Sequence, residues 1–442
     1  MKPLQIAVEY ERGLHHAHDF TVANVAPQFL THPSNLNEEG KTKYFHQEGT
    51  LHQTEFNSLQ PTSSLDELCL EFLKAEELSD QICAELGVLN IPISETGAGS
   101  AELNPAVMHR VHGYQTIFGK EAVQKLIRIS GIHLHIDQYL ERLADQFNAL
   151  TALRPTIALT SASAISPEGR NSMNCHRYNI IADPVEGVFV IPKCGDIPGW
   201  TEDRSYIASM EELEKRDKMR HSRWAAEFAS PYNRRNNKDL PLDYTLKSFL
   251  ENFPIEKTGY PDIRFRPDVK DLGPGTFELR INDSAPLDVV LAQAGLVLGY
   301  MNQIILGDTP LTIAEDHSKK DYLFDKKGVI LPNKYILDHY SDLAMKYGLK
   351  NPQVREYLSA LTEFAQGGLP AEQQHYLKPY FEMLDSGQNL ASQLLRHLGH
   401  KIIYSPQDGA LANRFIWEKH RQGIQSLQEK TGYQRGLPSC VE

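Results

Sequence analysis

The sequence predicts an α+β fold: an antiparallel sheet with one apolar and one polar face, helices behind it, and a mainly helical last third. Three observations predict it. Four segments alternate between apolar and polar residues, the period-two signature of half-buried strands. Longer segments carry apolar residues at helical spacing, above all from Leu331 onward. The composition, 41% hydrophobic and 23% charged over 442 residues, is that of a globular chain with enough apolar material for a sizeable core.

The elements follow in order. Leu4 to Glu11 alternates, with Leu4, Ile6, Val8 and Tyr10 on one face and Glu9 and Glu11 on the other. His32 to Lys43 is polar and reads as a loop, and Thr50 to Asn57 as a second strand. Ser64 precedes an acidic first turn and a helical run to Leu86, which marks it as an N-cap. Asn104-Pro105 opens a helix toward Phe118, Glu121 to Ile127 is a shorter helix, and Ser130 to Asp137 alternates as a strand. Tyr139 to Leu153 reads as a helix ended by Arg154-Pro155, because the residue before proline disfavours helical geometry. Thr160 to Tyr178, small and polar, reads as a long loop. Gly187 to Pro192 is a short strand and Met210 to Ala229 a charged helix. Gly275 to Asp283 is the fourth alternating strand, and Leu287 to Ile305 an apolar helix. The lysine-rich stretch near 310–330 is the best candidate for a junction, or else a surface loop. It divides the chain into 1–310, which carries the strands, and a mainly helical 311–442 packed on it.

Charge and cysteine usage narrow the function classes. The chain has 45 Lys and Arg against 57 Asp and Glu, a net charge of −12. Such a surface disfavours nonspecific binding to nucleic acid or anionic membrane, which needs clustered cations. Cysteines at 69, 83, 175, 194 and 440 form no C-x-x-C pair and no even framework, so a reducing compartment is expected. The first residues lack the apolar core of a signal peptide, and no run of apolar residues approaches a membrane span. A cytoplasmic enzyme, acting on small molecules and without nucleic-acid or membrane partners, is the expectation; a homodimer is allowed.

The polar strand faces carry the chemistry. Glu9 and Glu11 share a face of the first strand; Gln53, Glu55 and Asn57 share one on the second. His133, His135 and Asp137 share one on the third; Thr276, Glu278, Arg280 and Asn282 share one on the fourth. Solvated strands with cross-strand ion pairs explain such alternation one at a time. Four strands with the same habit point to a built face. Glutamates gathered there repel one another unless cations sit among them. Oxygen ligands with a few imidazoles suit Mg²⁺ or Mn²⁺, and magnesium held this way usually keeps contact with phosphates. A metal–nucleotide cradle is therefore expected. The chain has neither GxxxxGK[ST] nor GxGxxG, so ATP would be held by metal and side chains rather than by a glycine loop.

Three segments carry a resemblance. SGIHLHID (Ser130 to Asp137), ALTSASAISPEGRNSMNCHRY (Ala158 to Tyr178) and GTFELRINDSAP (Gly275 to Pro286), together with the E-x-E of Glu9 and Glu11, appear in an order that resembles the carboxylate–amine ligase family related to glutamate–cysteine ligase. The resemblance spans roughly residues 4–300. It implies a glutamine-synthetase-like fold whose curved antiparallel sheet cups ATP and metal ions. It also implies a reaction in which ATP phosphorylates a carboxylate and an amine attacks the acyl phosphate, as in glutathione biosynthesis.

Residue by residue, the resemblance implies that Glu9, Glu11, Glu48, Glu55, His133 and Glu278 hold the metal, and that His135 and Arg280 face the nucleotide. Arg280, Glu278 and His133 would take part in the chemistry, with Arg280 beside the transferred phosphoryl group. Arg177, at the end of the small-residue loop, and Arg110 would hold a substrate carboxylate, glutamate being the expected acid. Phosphoryl transfer needs such cations to neutralise the moving group and align it. Two departures leave the substrates open. The G-x-HPF motif of many relatives is replaced by VLNIPISETG (Val88 to Gly97), and Ala164-Ile165-Ser166 stands where an aromatic is common. A ligase or deamidase acting on a protein, and a non-catalytic nucleotide-binding homologue, are the alternatives.

Overall fold

The computed structural model describes residues 3–108, 111, 115, 120, 123–124, 127–166, 168–170, 206–216, 218–219, 263–266, 275–315 and 321–434. Its main element is an open, wholly antiparallel sheet of seven strands: β1 (Ile6–His16), β2 (Phe45–Gln47), β3 (Gln53–Asn57), β4 (Val88–Ile91), β5 (Gly131–Asp137), β6 (Ile263–Arg266) and β7 (Thr276–Asp283). The order is β2-β3-β1-β5-β7-β6, with β4 also paired to β1. All four strands read from alternation are present, and they lie side by side.

The pattern of β1 extends past Glu11 because burial follows partners as well as hydrophobicity. Ile6, Val8, Tyr10, Arg12 and Leu14 all face the helical side and are buried. Strands β2, β4 and β6 are three or four residues long, too short for periodicity to reveal. Behind the sheet runs α1 (Leu65–Leu86), capped by Ser64, whose hydroxyl accepts from the Glu67 N–H, and closed by Gly87 at φ 66°. Phe72 of α1 packs on Tyr10 and Phe56, with ring centroids 5.9 and 4.6 Å away.

Other elements differ from expectation. The helix expected over Tyr139 to Leu153 is α2 (Leu143–Thr151), preceded by a 3-10 turn. Arg154-Pro155 does not end the helical path. Proline lies in the first turn of a new 3-10 segment, Arg154–Thr156, where its missing N–H costs nothing, and the turn continues through Thr160. The helix expected from Asn104-Pro105 begins as a 3-10 turn, Pro105–Val107. The strand expected at 187–192 lies outside the described residues, and the helix expected from Met210 is described, as helix, only within 210–219. The stretch near 310–330 is more than a loop. It holds β8 (Leu311–Ile313), β9 (Leu323–Asp325) and most of β10 (Gly328–Leu331), a small sheet of order β8-β10-β9.

The apolar helix α3 (Leu287–Met301) continues as a π-helical turn to Leu306. Together they make 20 residues long and apolar enough to cross a membrane, contrary to the sequence reading, but 89% of the most apolar stretch is buried inside the fold. Around α3 pack α5 (Pro352–Gln366), α6 (Lys378–Ser386) and α8 (Pro406–Thr431), with α4 (Lys334–Tyr347) against α5 and α7 (Leu390–Leu398) against α8. One continuous hydrophobic cluster joins the back of the sheet to α3, α4, α5, α6 and α8, and a smaller one packs α7 against Ile165 and Ala412. At the closest approach, a Cβ on Gly368 would run into the Gly299 carbonyl and one on Gly299 into the Ala365 carbonyl, so the backbones meet with no side-chain layer between them.

A buried ion network ties the sheet to the helices. Arg12 Nη1 donates to Glu76 Oε1 at 2.6 Å, and His420 Nε2 lies 3.3 Å from Glu76 Oε2. Burial opposes the Glu76 charge, but Arg12 and then His420 hold the carboxyl down to about 2. Replacing Glu76 with Gln leaves the Arg12 guanidinium buried without its counter-ion. A loss of about 3–5 kcal/mol in urea-unfolding free energy is expected.

His15 and His52 are fully buried, with ring centroids 6.2 Å apart, and burial lowers them to about 4 and about 3. They stay neutral in the folded chain and take up protons on unfolding. Their contribution is therefore complete above the ordinary histidine value of 6.5 and is lost as pH falls through 6.5 toward 4. Unfolding free energy should drop by about 1.4 kcal/mol per pH unit per histidine in that window. A His15→Gln, His52→Gln pair should flatten the slope measured by denaturant titration between pH 6.5 and 4.

Candidate active site

Strand register assembles the polar face. Glu9 is opposite His133 and Asn57, Glu11 opposite Glu55, His135 opposite Glu278, and Arg264 opposite Glu278. A bulge between Ile132 and Leu134 shifts the β5–β7 register beside His133 and Arg280. The sequence-predicted Glu9, Glu11, Glu48, Glu55, His133, His135, Glu278 and Arg280 thus lie together. Arg110 and Arg177, expected to hold a substrate carboxylate, lie outside the described residues, as does Cys194.

The face divides into two electrostatic halves. In one, acids are matched by cations and imidazoles. His133, 2% exposed, sits among three carboxylates: Nδ1 is 2.7 Å from Glu9 and 3.7 Å from Glu278, and Nε2 is 3.5 Å from Glu11. Burial opposes the Glu9 charge, yet bonds from His133 and His135 hold its carboxyl well below the usual range. Glu278 is fully buried. Its charge survives that burial because Arg280 and then Arg264 hold its carboxyl down, and Arg280 is raised in turn by Glu278. Arg280 bonds one oxygen of Glu278, and Arg266 Nε bonds the other at 2.6 Å.

In the other half the acids crowd one another. Burial, then the charges of Glu48, Glu9 and Glu11, push Glu55 well above the ordinary carboxylate range. Glu48 is oriented by its own turn: its carboxylate accepts from the Gly49 N–H at 3.1 Å, and Asn104 holds its backbone carbonyl at 2.9 Å. Carboxylates crowded in this way favour a cation between them.

Three groups could receive one. Glu9, His135 and Glu278; Glu9, Glu55 and His133; and Glu11, Glu48 and Glu55 each bring three donor atoms within 4.8 Å of one another. The residues fit a divalent metal. His135 Nε2 is buried 3.1 Å from Glu9 Oε1, while Nδ1 meets the Thr276 hydroxyl at 3.2 Å. In the tautomer that donates Nδ1–H to Thr276, Nε2 would offer its lone pair to a metal held by the same carboxylates. An oxygen-rich set with imidazole suits Mg²⁺ or Mn²⁺.

Sequence reasoning missed Arg264 and Arg266 on β6, and His46, which stands opposite Glu55 on β2. The I-R-F-R alternation of β6 was the available signal, confined to four residues between Pro261 and Pro267. The departing segment Val88 to Gly97 supplies β4 and then reaches the site's edge. Ser94 there accepts from the Ser130 N–H at 2.9 Å, and its own N–H donates to Ser163 at 3.3 Å.

An open antiparallel sheet with acids, imidazoles and arginines on one face and helices behind it is the class of fold these features define. Among solved structures, the chain is similar to glutamate–cysteine ligase from Francisella tularensis in complex with AMP: 15% identity, 98% of this chain and 93% of that one covered, TM-score 0.55. It is also similar to a bifunctional glutathione synthetase from Pasteurella multocida: 14% identity, 96% of this chain covered, TM-score 0.52, spanning 52% of that protein's length. The fold is thus shared with these ligases. No protein-family model matches the chain, and no curated protein matches it by sequence.

Glu55→Gln removes one of the crowded charges. It should stabilise the metal-free protein by about 1 kcal/mol, ~2 °C in melting temperature, and should abolish most of the rise that Mn²⁺ gives the wild type. Differential scanning calorimetry at pH 7, with and without Mn²⁺, checks both signs.

Proposed function

We propose that the chain is an ATP-dependent carboxylate–amine ligase of the glutamate–cysteine ligase kind. It would form an amide through an acyl phosphate and release ADP and phosphate. The observation that carries the reading is the convergence of Glu9, Glu11, Glu48, Glu55, His133, His135, Glu278 and Arg280 on one sheet face. The fold shared with two ligases, one solved with AMP, supports it.

Glu9, Glu11, Glu48, Glu55, His133 and Glu278 would hold Mg²⁺ or Mn²⁺. When bound, such ions neutralise phosphate oxygens and align them for in-line transfer. His135 and Arg280 would face the nucleotide. Arg280, rigidly placed by Glu278, would stabilise charge developing on the acyl phosphate. His133, wedged among Glu9, Glu11 and Glu278, keeps those carboxylates aimed at the open face. Arg177 and Arg110 remain proposals for gripping a substrate carboxylate, which a guanidinium does with two parallel hydrogen bonds. The proposed substrates are small amino acids, glutamate and an amine. We also propose that 1–310 forms the catalytic core with 311–442 packed on it, and that the protein works in the cytoplasm, in glutathione biosynthesis.

Mg²⁺-dependent ADP release, with glutamate fixed and the amine varied, tests the reading. Release with one amine and a dehydrated adduct of matching mass is the expected result. No release with any amine would sink the small-molecule reading, and ATP binding without turnover would redirect the search to a protein substrate. Glu55→Gln should lower kcat by about 100-fold or more while leaving the fold intact.

A further inference from the structure

Glu278 carries more positive charge than a metal ligand needs. Its Oε2 takes Arg266 Nε at 2.6 Å and has Arg264 Nη1 at 3.7 Å, while its Oε1 takes Arg280. Arg266 also reaches the second acid of the same metal group, with Nη2 3.8 Å from Glu9 Oε1. The carboxylates that converge with His135 as a metal group are thus already held by a guanidinium. A divalent cation placed on Glu278 would face Arg266 at contact distance, and the two would repel even with the screening that the exposed part of Arg266 receives.

The three arginines are not equally free to leave. The side chains of Arg280 and Arg264 are 18% and 28% exposed, whereas that of Arg266 is 41% exposed. Arg266 ends β6, which among the described residues is an edge strand paired only with β7. A guanidinium so placed needs an anionic partner if it is to give up two carboxylates. Phosphate oxygens suit its planar fork.

We propose that Arg266 is a positioning residue that exchanges partners. It holds Glu278 and Glu9 while the site lacks nucleotide and moves to the nucleotide's phosphates when they arrive, freeing the Glu9–His135–Glu278 group for its divalent cation. Metal binding there is then conditional on nucleotide, and by linkage the metal raises nucleotide affinity by the same factor. No bond is made or broken in this step; one ion pair replaces another. The inference rests on the ligase reading of the site and adds to it an order of loading.

Mn²⁺ is the probe, its free concentration read by electron paramagnetic resonance with the full chain, with and without a non-hydrolysable ATP analogue. Arg266→Gln should bind Mn²⁺ about tenfold more tightly than wild type without the analogue, and should gain little when it is added. Arg266→Lys, which keeps the charge and loses the fork, should fall between them. In a Glu278→Gln background the Arg266 substitution should leave Mn²⁺ affinity unchanged. A merely structural role for Arg266 predicts the opposite sign, since damage to the site weakens metal binding. Unchanged or weaker Mn²⁺ binding by Arg266→Gln overturns this inference alone. No Mn²⁺ binding by any variant, with or without the analogue, overturns the metal-dependent ligase reading and the inference with it.

Discussion

Carboxylates that share a sheet face cannot all remain charged unless positive groups stand among them, and this constraint organises the molecule. On the β5–β7–β6 side the positive groups belong to the chain itself, the guanidinium groups of Arg264, Arg266 and Arg280, with the His133 and His135 rings set among the acids. On the β1–β3 side Glu11, Glu48 and Glu55 crowd one another, and Glu55 responds by resisting ionisation. The face is therefore polarised. One half is self-neutralised and preorganised, and the other asks for an external cation. Under the proposed ligase reading, phosphates would lie across both halves, with arginines at one end and metal at the other.

The opposite face explains why the arrangement holds its shape. Tyr10 donates to the Ala285 carbonyl at 2.6 Å, Ser284 to the Glu11 carbonyl at 2.5 Å, and Arg12 to Glu76 behind them. Each of these bonds fixes a backbone segment that also carries a site residue. The Asp283 carboxylate accepts from the Ser163 N–H at 3.0 Å, so the end of β7 also anchors the start of the small-residue loop. The acids and arginines of the face are thus referenced to one rigid frame, the condition under which their electrostatics are least costly to maintain.

Much of this was readable from residues alone, for a definite reason. Period two assigned Glu9, Glu11, Glu55, His133, His135, Glu278 and Arg280 to faces, and their strands turned out to be neighbours. What periodicity missed were the segments too short to show a period: β2 with His46, β4, and β6 with Arg264 and Arg266. It also missed Arg12, whose burial depends on Glu76 and His420, far away in the chain. Pro155 misled because proline both ends a helix and opens one, and the local sequence does not say which. The three short strands of the 310–330 stretch were hidden by the lysine pairs between them, Lys319-Lys320 and Lys326-Lys327.

The glycine contact between α3 and α5 has a consequence for how the chain can vary. Most core positions accept a neighbouring hydrophobic residue after some repacking, because side chains give way. Where Gly299 and Gly368 meet, the obstacle to a methyl group is main chain, which does not. These positions lie at a helix–helix contact and carry no site residue, yet they admit no alternative. An inactive variant found there would be a failure of assembly, with its chemistry untouched.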